Sequence, residues 1–326
     1  MTVPLLEVDD LKVHFQVGRQ GLLPWSSPRW LRAVDGVSFS VQPGETLGIV
    51  GESGCGKSSL ARALIGLNPI TSGSARFAGQ QLAGRSTANW RALRGDIQMI
   101  FQDPLSSLDP RMTIGSIIAE PLQALKPALT RAEVRDRVEA VMARVGMLPN
   151  LINRYPHEFS GGQCQRVGIA RALIVGPKLI ICDEPVSALD VSIQAQVINL
   201  LMDLQQHEGL SLLFIAHDLA VVKHIADRVL VMYLGHVVEE ASSAQLFSAP
   251  MHPYSRALLS AVPIPDPVLE RTKQVQILEG DLPSPISPPS GCVFRTRCPL
   301  AVADCAIRVP ELAEHERGHR VACPLT

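Results

Sequence analysis

Residues 51–58 form a glycine-rich segment that strongly limits what this chain can fold into. The segment reads Gly-Glu-Ser-Gly-Cys-Gly-Lys-Ser and fits the pattern G-x-x-x-x-G-K-[ST]. It follows a continuous apolar run at 46–50, which predicts a buried strand, and it opens a predicted helix at 57–66. The backbone N–H groups of such a loop face phosphate oxygens, and its lysine neutralises phosphate charge. The sequence therefore predicts a nucleotide-binding α/β fold.

The candidate nucleotide-binding residues are those of the loop and the start of the helix after it. They are Gly51, Glu52, Ser53, Gly54, Cys55, Gly56, Lys57, Ser58 and Ser59. Lys57 is expected to contact the β- and γ-phosphates, and the Ser58 hydroxyl is expected to ligate Mg²⁺. Cys55 is a tolerated spacer.

Predicted strands and helices alternate along much of the chain. Strands are expected at 5–15, 34–41, 46–50, 179–182 and 211–216, with helices at 57–66, 166–174 and 193–206. Such alternation favours a largely parallel sheet covered on both faces. The stretch 116–144 is helical in period and lies between two strand-rich regions, which predicts a helical insert at about 103–178.

Proline density changes the character of the chain after residue 250. Eight prolines in about forty residues exclude long helices and regular β-sheet hydrogen bonding there. We therefore expect a main domain at 1–250, followed at 251–326 by an extended linker to about 290 and a cysteine-containing tail.

Composition excludes several classes of protein. A hydrophobic fraction of 46% supports a sizeable core, and a net charge of −1 argues against a general nucleic-acid binder. The apolar runs are far shorter than the roughly 20 residues of a membrane-spanning helix. The first ten residues show no secretory pattern, so a cytoplasmic location is expected.

The predicted strand at 179–182 ends in two adjacent carboxylates, Asp183 and Glu184. Because side chains alternate along a strand, the two should point in different directions. Asp183 can then reach a Mg²⁺ ion while Glu184 polarises an attacking water. An isolated Asp-Glu pair at a strand end is more often a solvated turn, so these roles depend on the other motifs.

The segment Phe-Ser-Gly-Gly-Gln at 159–163 precedes the apolar stripe of a predicted helix. Together with the preceding motifs, in this order, it resembles the signature of the ATP-binding-cassette ATPases. The resemblance implies a P-loop NTPase core of the RecA type with an antiparallel N-terminal β subdomain and an inserted α-helical subdomain. It also implies that Ser160, Gly161, Gly162 and Gln163 contact a nucleotide held by a partner subunit. A serine and two glycines at a helix start suit an anion.

The same resemblance implies roles for further residues. Gln102 matches the glutamine that senses Mg²⁺ and the attacking water, so Mg²⁺ is assigned to Ser58, Gln102 and Asp183. Asp190 ends the loop that crosses the dimer interface, and His217 matches the switch histidine near the γ-phosphate. The catalytic set is thus Glu184, His217 and Gln102. Phe15 is expected to stack on adenine, with Trp30 as the less favoured alternative.

Shorter segments at 33–38, 101–104, 154–158 and 252–254 resemble the ATPase subunits of bacterial oligopeptide and dipeptide importers, most closely the F-type oligopeptide subunits. This branch implies a peripheral ATPase at the cytoplasmic face of the inner membrane. Its implied partners are a paralogous ATPase in a heterodimer, two membrane permeases and, indirectly, a periplasmic peptide-binding protein. Nickel importers share this build. A soluble cassette ATPase of DNA repair or translation is a further alternative, although those usually carry two cassettes or a long coiled coil.

Four cysteines crowd the last 35 residues, spaced Cys292-x5-Cys298-x6-Cys305-x17-Cys323. Four thiolates can hold Zn²⁺ or an iron–sulfur cluster, and the CxxC pairs of zinc ribbons and bacterial ferredoxins are absent. The spacing leaves the metal open, and four reduced cysteines without a metal remain an alternative. Resemblance to the importer branch implies a [4Fe–4S] cluster. A redox or cluster-sensing protein with incidental ATP binding is a rival function.

Overall fold

A computed structural model describes residues 3–19, 27–84, 87–263 and 266–326. Its strands are β1 (Leu6–Arg19), β2 (Pro28–Val41), β3 (Thr46–Val50), β4 (Ser72–Phe77), β5 (Gln80–Gln81), β6 (Ile97–Ile100), β7 (Leu179–Asp183), β8 (Ser211–Ile215), β9 (Arg228–Tyr233), β10 (His236–Ser242), β11 (Ala313–Glu316) and β12 (His319–Val321). Its α-helices are α1 (Lys57–Leu64), α2 (Thr87–Leu93), α3 (Ile114–Leu125), α4 (Arg131–Arg144), α5 (Gly161–Leu173), α6 (Val191–Glu208), α7 (Leu219–Ile225), α8 (Ser243–Ser248), α9 (Pro253–Ser260) and α10 (Pro267–Thr272). Short 3₁₀ helices lie at Pro149–Asn153, Pro156–Glu158 and Ala303–Ala306.

The chain divides into two compact units, and unit I is built mainly from Val41–Thr46 and Gly84–Ile215. Within it, β6, β7 and β8 pair in parallel, with Ile97 opposite Leu179 and Leu179 opposite Ser211. Every residue of β7 and β8 is buried. Continuous apolar strands of this kind are typical of a parallel sheet covered on both faces, as the sequence predicts.

The helical part of unit I lies between β6 and β7 in the chain and contains α3, α4 and α5. The predicted helical stretch 116–144 is two helices, because α3 ends before Lys126-Pro127 and α4 starts after Thr130. Proline disfavours helical geometry at the residue before it. Thr130 and Glu133 then form a reciprocal capping box that starts α4. The limits 103–178 for the insert stay a prediction.

Unit II comprises Pro4–Ser40, Leu47–Ala83 and Ala216–Thr326. Its N-terminal sheet has the order β2-β1-β4-β5, and β1 runs antiparallel to β4 with Leu6 opposite Phe77. This confirms the predicted antiparallel N-terminal β subdomain. The phosphate-loop strand β3 pairs in parallel with β9, and β10 continues antiparallel from β9.

The stretch predicted as an extended linker to about 290 contains α9 and α10, and its residues 273–290 form no helix or strand. Helix α9 begins with Pro253 at its first position, where proline costs no hydrogen bond, and His252 caps it by accepting from Tyr254 N–H. The chain ends in the hairpin β11–β12, whose second strand pairs with β10, with Glu239 opposite Val321. The division at residue 250 stays a prediction.

A fully buried carboxylate holds this C-terminal part against β10. Glu239 accepts hydrogen bonds from the backbone N–H groups of Met251 and His252 at 2.8 and 2.9 Å. Its Oε1 also lies 2.7 Å from Nε2 of His319, and both side chains are at most 1% exposed. A buried charge needs such partners because unpaired burial is costly. Glu239 therefore joins β10, the start of α9 and β12.

Candidate nucleotide-binding and hydrolysis site

The phosphate loop joins β3 to α1 within unit II. At two positions of the loop, neighbouring backbone atoms leave no room for a side chain. A Cβ on Gly56 (φ 107°) would lie 1.9 Å from the carbonyl oxygen of Ala33, and one on Gly51 (φ 153°) would lie 2.2 Å from that of Met232. Only glycine tolerates both the positive φ and the close approach. A Cβ on Gly54 would meet nothing within 4 Å, so the loop is open on that side.

The loop lysine is buried and bonded to the loop itself. Lys57 is 4% exposed, and its Nζ donates to the carbonyl oxygens of Gly51 at 2.6 Å and Glu52 at 3.0 Å. The loop encloses this cation and is open at Gly54, so it can accept a chain of negatively charged phosphates. The residues present therefore fit the phosphates of a nucleotide.

Cys55 packs inside the phosphate loop rather than on its open side. Its side chain is fully buried, and burial raises the pKa of its thiol. Its carbonyl oxygen accepts from Gly235 N–H at 2.9 Å, which ties the loop to the turn between β9 and β10. A protonated buried thiol is a poor nucleophile, which is compatible with the spacer role that stays a prediction for Cys55.

The two carboxylates at the end of β7 lie in unit I and differ in their surroundings. Asp183 is 1% exposed, whereas Glu184 is half-buried. Glu184 adopts a left-handed backbone with φ 47°, and its N–H donates to the carbonyl oxygen of Ile215 at 3.0 Å. Non-glycine residues held in this region carry strain, and such strain clusters at functional sites.

The structure brings two of the predicted catalytic residues together. Gln102, which follows β6, donates from Nε2 to the carboxylate of Glu184 at 3.0 Å. The amide therefore orients the carboxylate oxygen that the sequence assigns to water activation. Their roles in hydrolysis stay predictions.

The predicted signature segment forms the start of α5 in unit I. Ser160 is the N-cap and forms a reciprocal capping box with Gln163. Ser160 and Gly161 are exposed, while a Cβ on buried Gly162 would lie 2.3 Å from Cγ2 of Ile193. This helix start therefore presents backbone and hydroxyl groups at the surface of the chain.

Four further candidate residues lie outside these groups. Asp190 is the exposed N-cap of α6, and His217 is exposed between β8 and α7. Phe15 is half-buried on β1, and Trp30 is 43% exposed on β2. Residues 20–26, between the two aromatic candidates, lie outside the described residues. The adenine contact stays a prediction.

The predicted metal centre in the tail is wrong. All four tail cysteines are described and free, and among the described residues no group of three or more cysteine, histidine or carboxylate side chains could hold a metal ion. Burial raises the pKa of the Cys292 and Cys298 thiols, and the neighbouring cysteines raise it further. The described residues therefore support neither the [4Fe–4S] cluster nor the Zn²⁺ alternative.

Sequence reasoning missed two residues that contact the phosphate loop from the C-terminal region. The hydroxyl of Tyr254 accepts from Glu52 N–H at 2.8 Å, and Arg297 Nη1 donates to the Glu52 carboxylate at 2.7 Å. From the sequence, the segment at 252–254 is recognisable only by its resemblance to the importer branch. Nothing in its spacing indicated a contact about 200 residues earlier in the chain.

Comparison with known proteins gives the chain its family. The profile described as ABC transporter matches residues 34–187, and the profile described as oligopeptide/dipeptide transporter, C-terminal region, matches residues 238–305. The oligopeptide transport ATP-binding protein OppF of Escherichia coli is 66% identical over 321 residues, which cover 98% of this chain and 95% of that protein. The chain belongs to the oligopeptide transport ATP-binding proteins of the ABC transporter family.

More distant relatives agree with this membership. A putative oligopeptide transport ATP-binding protein of Bacillus subtilis, YkfD, is 52% identical over 99% of this chain and 96% of its own length. Among solved structures, a dimeric ATP-binding cassette in a post-hydrolysis state bound to ADP and Pi matches with a TM-score of 0.65 and 25% identity, over 73% of this chain and 98% of that chain. The ABC ATPase fold and ATP-hydrolysing activity expected from the sequence are confirmed.

The predicted heterodimer is not upheld for this ABC ATPase. The matching profiles and relatives describe an ATP-binding protein and name no unlike ATPase subunit. The prediction is therefore corrected to an ATPase subunit of a transporter without a specified ATPase partner. Among the described residues, every helix is too short or too polar to span a lipid bilayer.

Proposed function

We propose that this chain is the ATPase subunit of a bacterial ABC importer that couples ATP binding and hydrolysis to the uptake of oligopeptides. The supporting observation is the phosphate loop with its enclosed Lys57, in a chain 66% identical over nearly its full length to an oligopeptide transport ATP-binding protein. The names of the relatives favour oligopeptides over nickel or a non-transport role.

The loop residues bind the triphosphate in this proposal. Backbone N–H groups of 51–58 and the Lys57 ammonium contact phosphate oxygens, and Phe15 stacks on adenine. The oxygens of Ser58, Asp183 and Gln102 would hold Mg²⁺, a donor set of the hard type that this ion prefers. When bound, Mg²⁺ neutralises charge on the phosphates.

Glu184 acts on the attacking water. Its carboxylate accepts a proton from the water at Oε1 or Oε2, and the amide of Gln102 fixes the orientation of that carboxylate. His217 contacts the γ-phosphate. Ser160, Gly161, Gly162 and Gln163 serve a nucleotide bound to a second ATPase subunit, and Asp190 lies at the interface between the two subunits.

The importer supplies the remaining partners. An oligopeptide-importer ATPase works with membrane permeases and a binding protein, and we propose two permeases and a periplasmic peptide-binding protein. The chain then acts as a peripheral subunit at the cytoplasmic face of the inner membrane. The peptide is chosen by the binding protein and permeases.

Two variants test the proposed hydrolysis site in the assembled transporter. Glu184→Gln keeps the shape of the side chain and removes the base, so ATP should bind normally while turnover falls by about a hundredfold or more. Lys57→Ala should instead weaken ATP binding. ATPase rate, ATP affinity and uptake of a labelled tripeptide are measured together, with the exposed Glu316→Gln as the control.

A Glu184→Gln variant that hydrolyses ATP at the parent rate would show that Glu184 does not activate water. If the transporter takes up Ni²⁺ but no tripeptide, the substrate is nickel rather than oligopeptides. Full ATPase activity from a strictly monomeric sample would contradict the role given to Ser160 and Gly161.

A further inference from the structure

Glu52 of the phosphate loop is held by three separate partners within unit II. Its backbone N–H donates to the hydroxyl of Tyr254 at 2.8 Å, and its carbonyl oxygen accepts from Lys57 Nζ at 3.0 Å. Its carboxylate accepts from Nη1 of Arg297 at 2.7 Å. Two of these three partners come from the C-terminal region. The conformation of this loop residue therefore depends on residues far along the chain.

An aromatic cluster fixes the two C-terminal partners. The ring of Tyr254 packs edge-on against Tyr233 with centroids 4.8 Å apart, and Phe294 packs edge-on against Tyr233 at 5.1 Å. All three rings are at most 1% exposed. Phe294 lies three residues before Arg297, so its packing limits where the guanidinium can lie. Edge-to-face pairs of this kind have a defined geometry that resists rearrangement.

The Arg297 guanidinium offsets the negative charge that Glu52 places in the phosphate loop. A carboxylate in a loop that binds a polyanion repels its ligand. The Arg297 side chain is only 10% exposed and that of Glu52 is 27% exposed, so solvent screens the pair less than a surface pair. Bonding to Glu52 also raises the pKa of Arg297, which keeps the guanidinium charged. Arg297 thus offsets the negative charge of the loop.

We propose that Arg297 and Tyr254 are positioning residues for the phosphate loop, through which the C-terminal region sets the affinity for MgATP. The proposal rests on the nucleotide-binding role proposed for 51–58. Arg297 neutralises the carboxylate of Glu52, and Tyr254 fixes its backbone N–H. Neither residue contacts the reacting atoms.

Equilibrium binding of a fluorescent ATP analogue with Mg²⁺ to the purified full chain tests this role. Arg297→Gln should raise the dissociation constant about tenfold, and Arg297→Lys, which keeps the charge, should raise it less than threefold. Arg295→Gln is the matched control, because Arg295 bonds to Ser290 within the same segment and not to the loop. In the assembled transporter, Arg297→Gln should raise KM with kcat changed less than twofold.

A double-mutant cycle separates positioning from a general loss of folding. Glu52→Gln removes the carboxylate that needs neutralising, so adding Arg297→Gln to it should weaken binding much less than Arg297→Gln alone. Tyr254→Phe keeps the ring and deletes only the acceptor. It should weaken binding about threefold and lower the melting temperature by no more than about 4 °C.

Three results would overturn the proposal or its basis. Parent-like affinity of Arg297→Gln, with Lys57→Ala deficient, would refute the positioning role alone. The positioning role would also be refuted if the effects of Glu52→Gln and Arg297→Gln on ATP affinity were additive and Tyr254→Phe bound ATP like the parent. This result is decisive even if Arg297→Gln folds poorly. Parent-like binding by Lys57→Ala would instead refute the nucleotide role of the loop.

Discussion

Removing the carboxylate of Glu239 should release the C-terminal hairpin from β10. In the folded protein Oε1 accepts from Met251 N–H and lies next to His319 Nε2, while Oε2 accepts from His252 N–H. Glu239 is completely buried, so water cannot replace these bonds. Two substitutions remove different numbers of them.

The cost can be worked out bond by bond. Glu239→Gln keeps one oxygen, which serves two donors at the Oε1 position, and places an NH₂ group against the N–H of His252. The His252 N–H and the new NH₂ group are then two buried donor groups without acceptors, and each costs about 1–3 kcal/mol. Glu239→Ala leaves all three protein donors without a partner, and each unsatisfied buried donor costs about 1–3 kcal/mol. Glu239→Ala should therefore be destabilised more than Glu239→Gln.

Hydrogen exchange of the amides in β10 and β12 measures this cost locally. A loss of about 3 kcal/mol corresponds to a more than hundredfold fall in protection, because each 1.4 kcal/mol is tenfold. Glu316→Gln, on exposed β11, should change the free energy of unfolding by less than about 0.5 kcal/mol. Equal protection of β12 in Glu239→Ala and the parent would refute the reasoning.

Three further outcomes are expected. Gly56→Ala should abolish ATP binding in a thermal-shift assay, because its Cβ would lie 1.9 Å from a backbone oxygen at φ 107°. Gly162→Val should cost at least about 2 kcal/mol in urea unfolding because of its 2.3 Å clash, whereas Gly161→Val, with its nearest contact at 3.6 Å, should keep stability and lower transporter ATPase activity at least about tenfold. Burial lowers the pKa of His252 from 6.5 to about 4, so stability should be unaffected above pH 6.5 and fall as pH drops towards 4. The fall is at most about 3 kcal/mol, and His252→Asn should flatten it while keeping a capping acceptor.

The parts of the fold that sequence predicts best are those with continuous local patterns. Strands β3, β7 and β8 lie within a residue of their predicted limits because each is an apolar run bounded by turn or polar residues. Strands β11 and β12 were missed, since all four residues of β11 are exposed and its polar sequence gives no periodicity. They exist because β12 pairs with β10, about 80 residues earlier in the chain.

The candidate site shows the same contrast. The phosphate loop follows from eight consecutive residues, and the Asp183-Glu184 pair follows from a strand end. The contacts of Glu52 with Tyr254 and Arg297 span 202 and 245 residues of chain, so only folding reveals them. The tail cysteines misled for a related reason: the prediction assumed that a short segment needs a metal to become ordered. Pairing with β10, aromatic packing and ion pairs provide that order.

The C-terminal hairpin also decides what the outer boundary of this sheet presents to other molecules. Without it, β10 would offer a row of unpaired N–H and C=O groups, and unpaired edges of this kind recruit strands from other chains. With it, the outermost strand is β11, which is only four residues long and carries charged and polar side chains at 313–316. Short, charged edge strands resist such recruitment. Residues 313–321 therefore cover the edge of β10 with a short polar strand that is poorly suited to pairing with other chains.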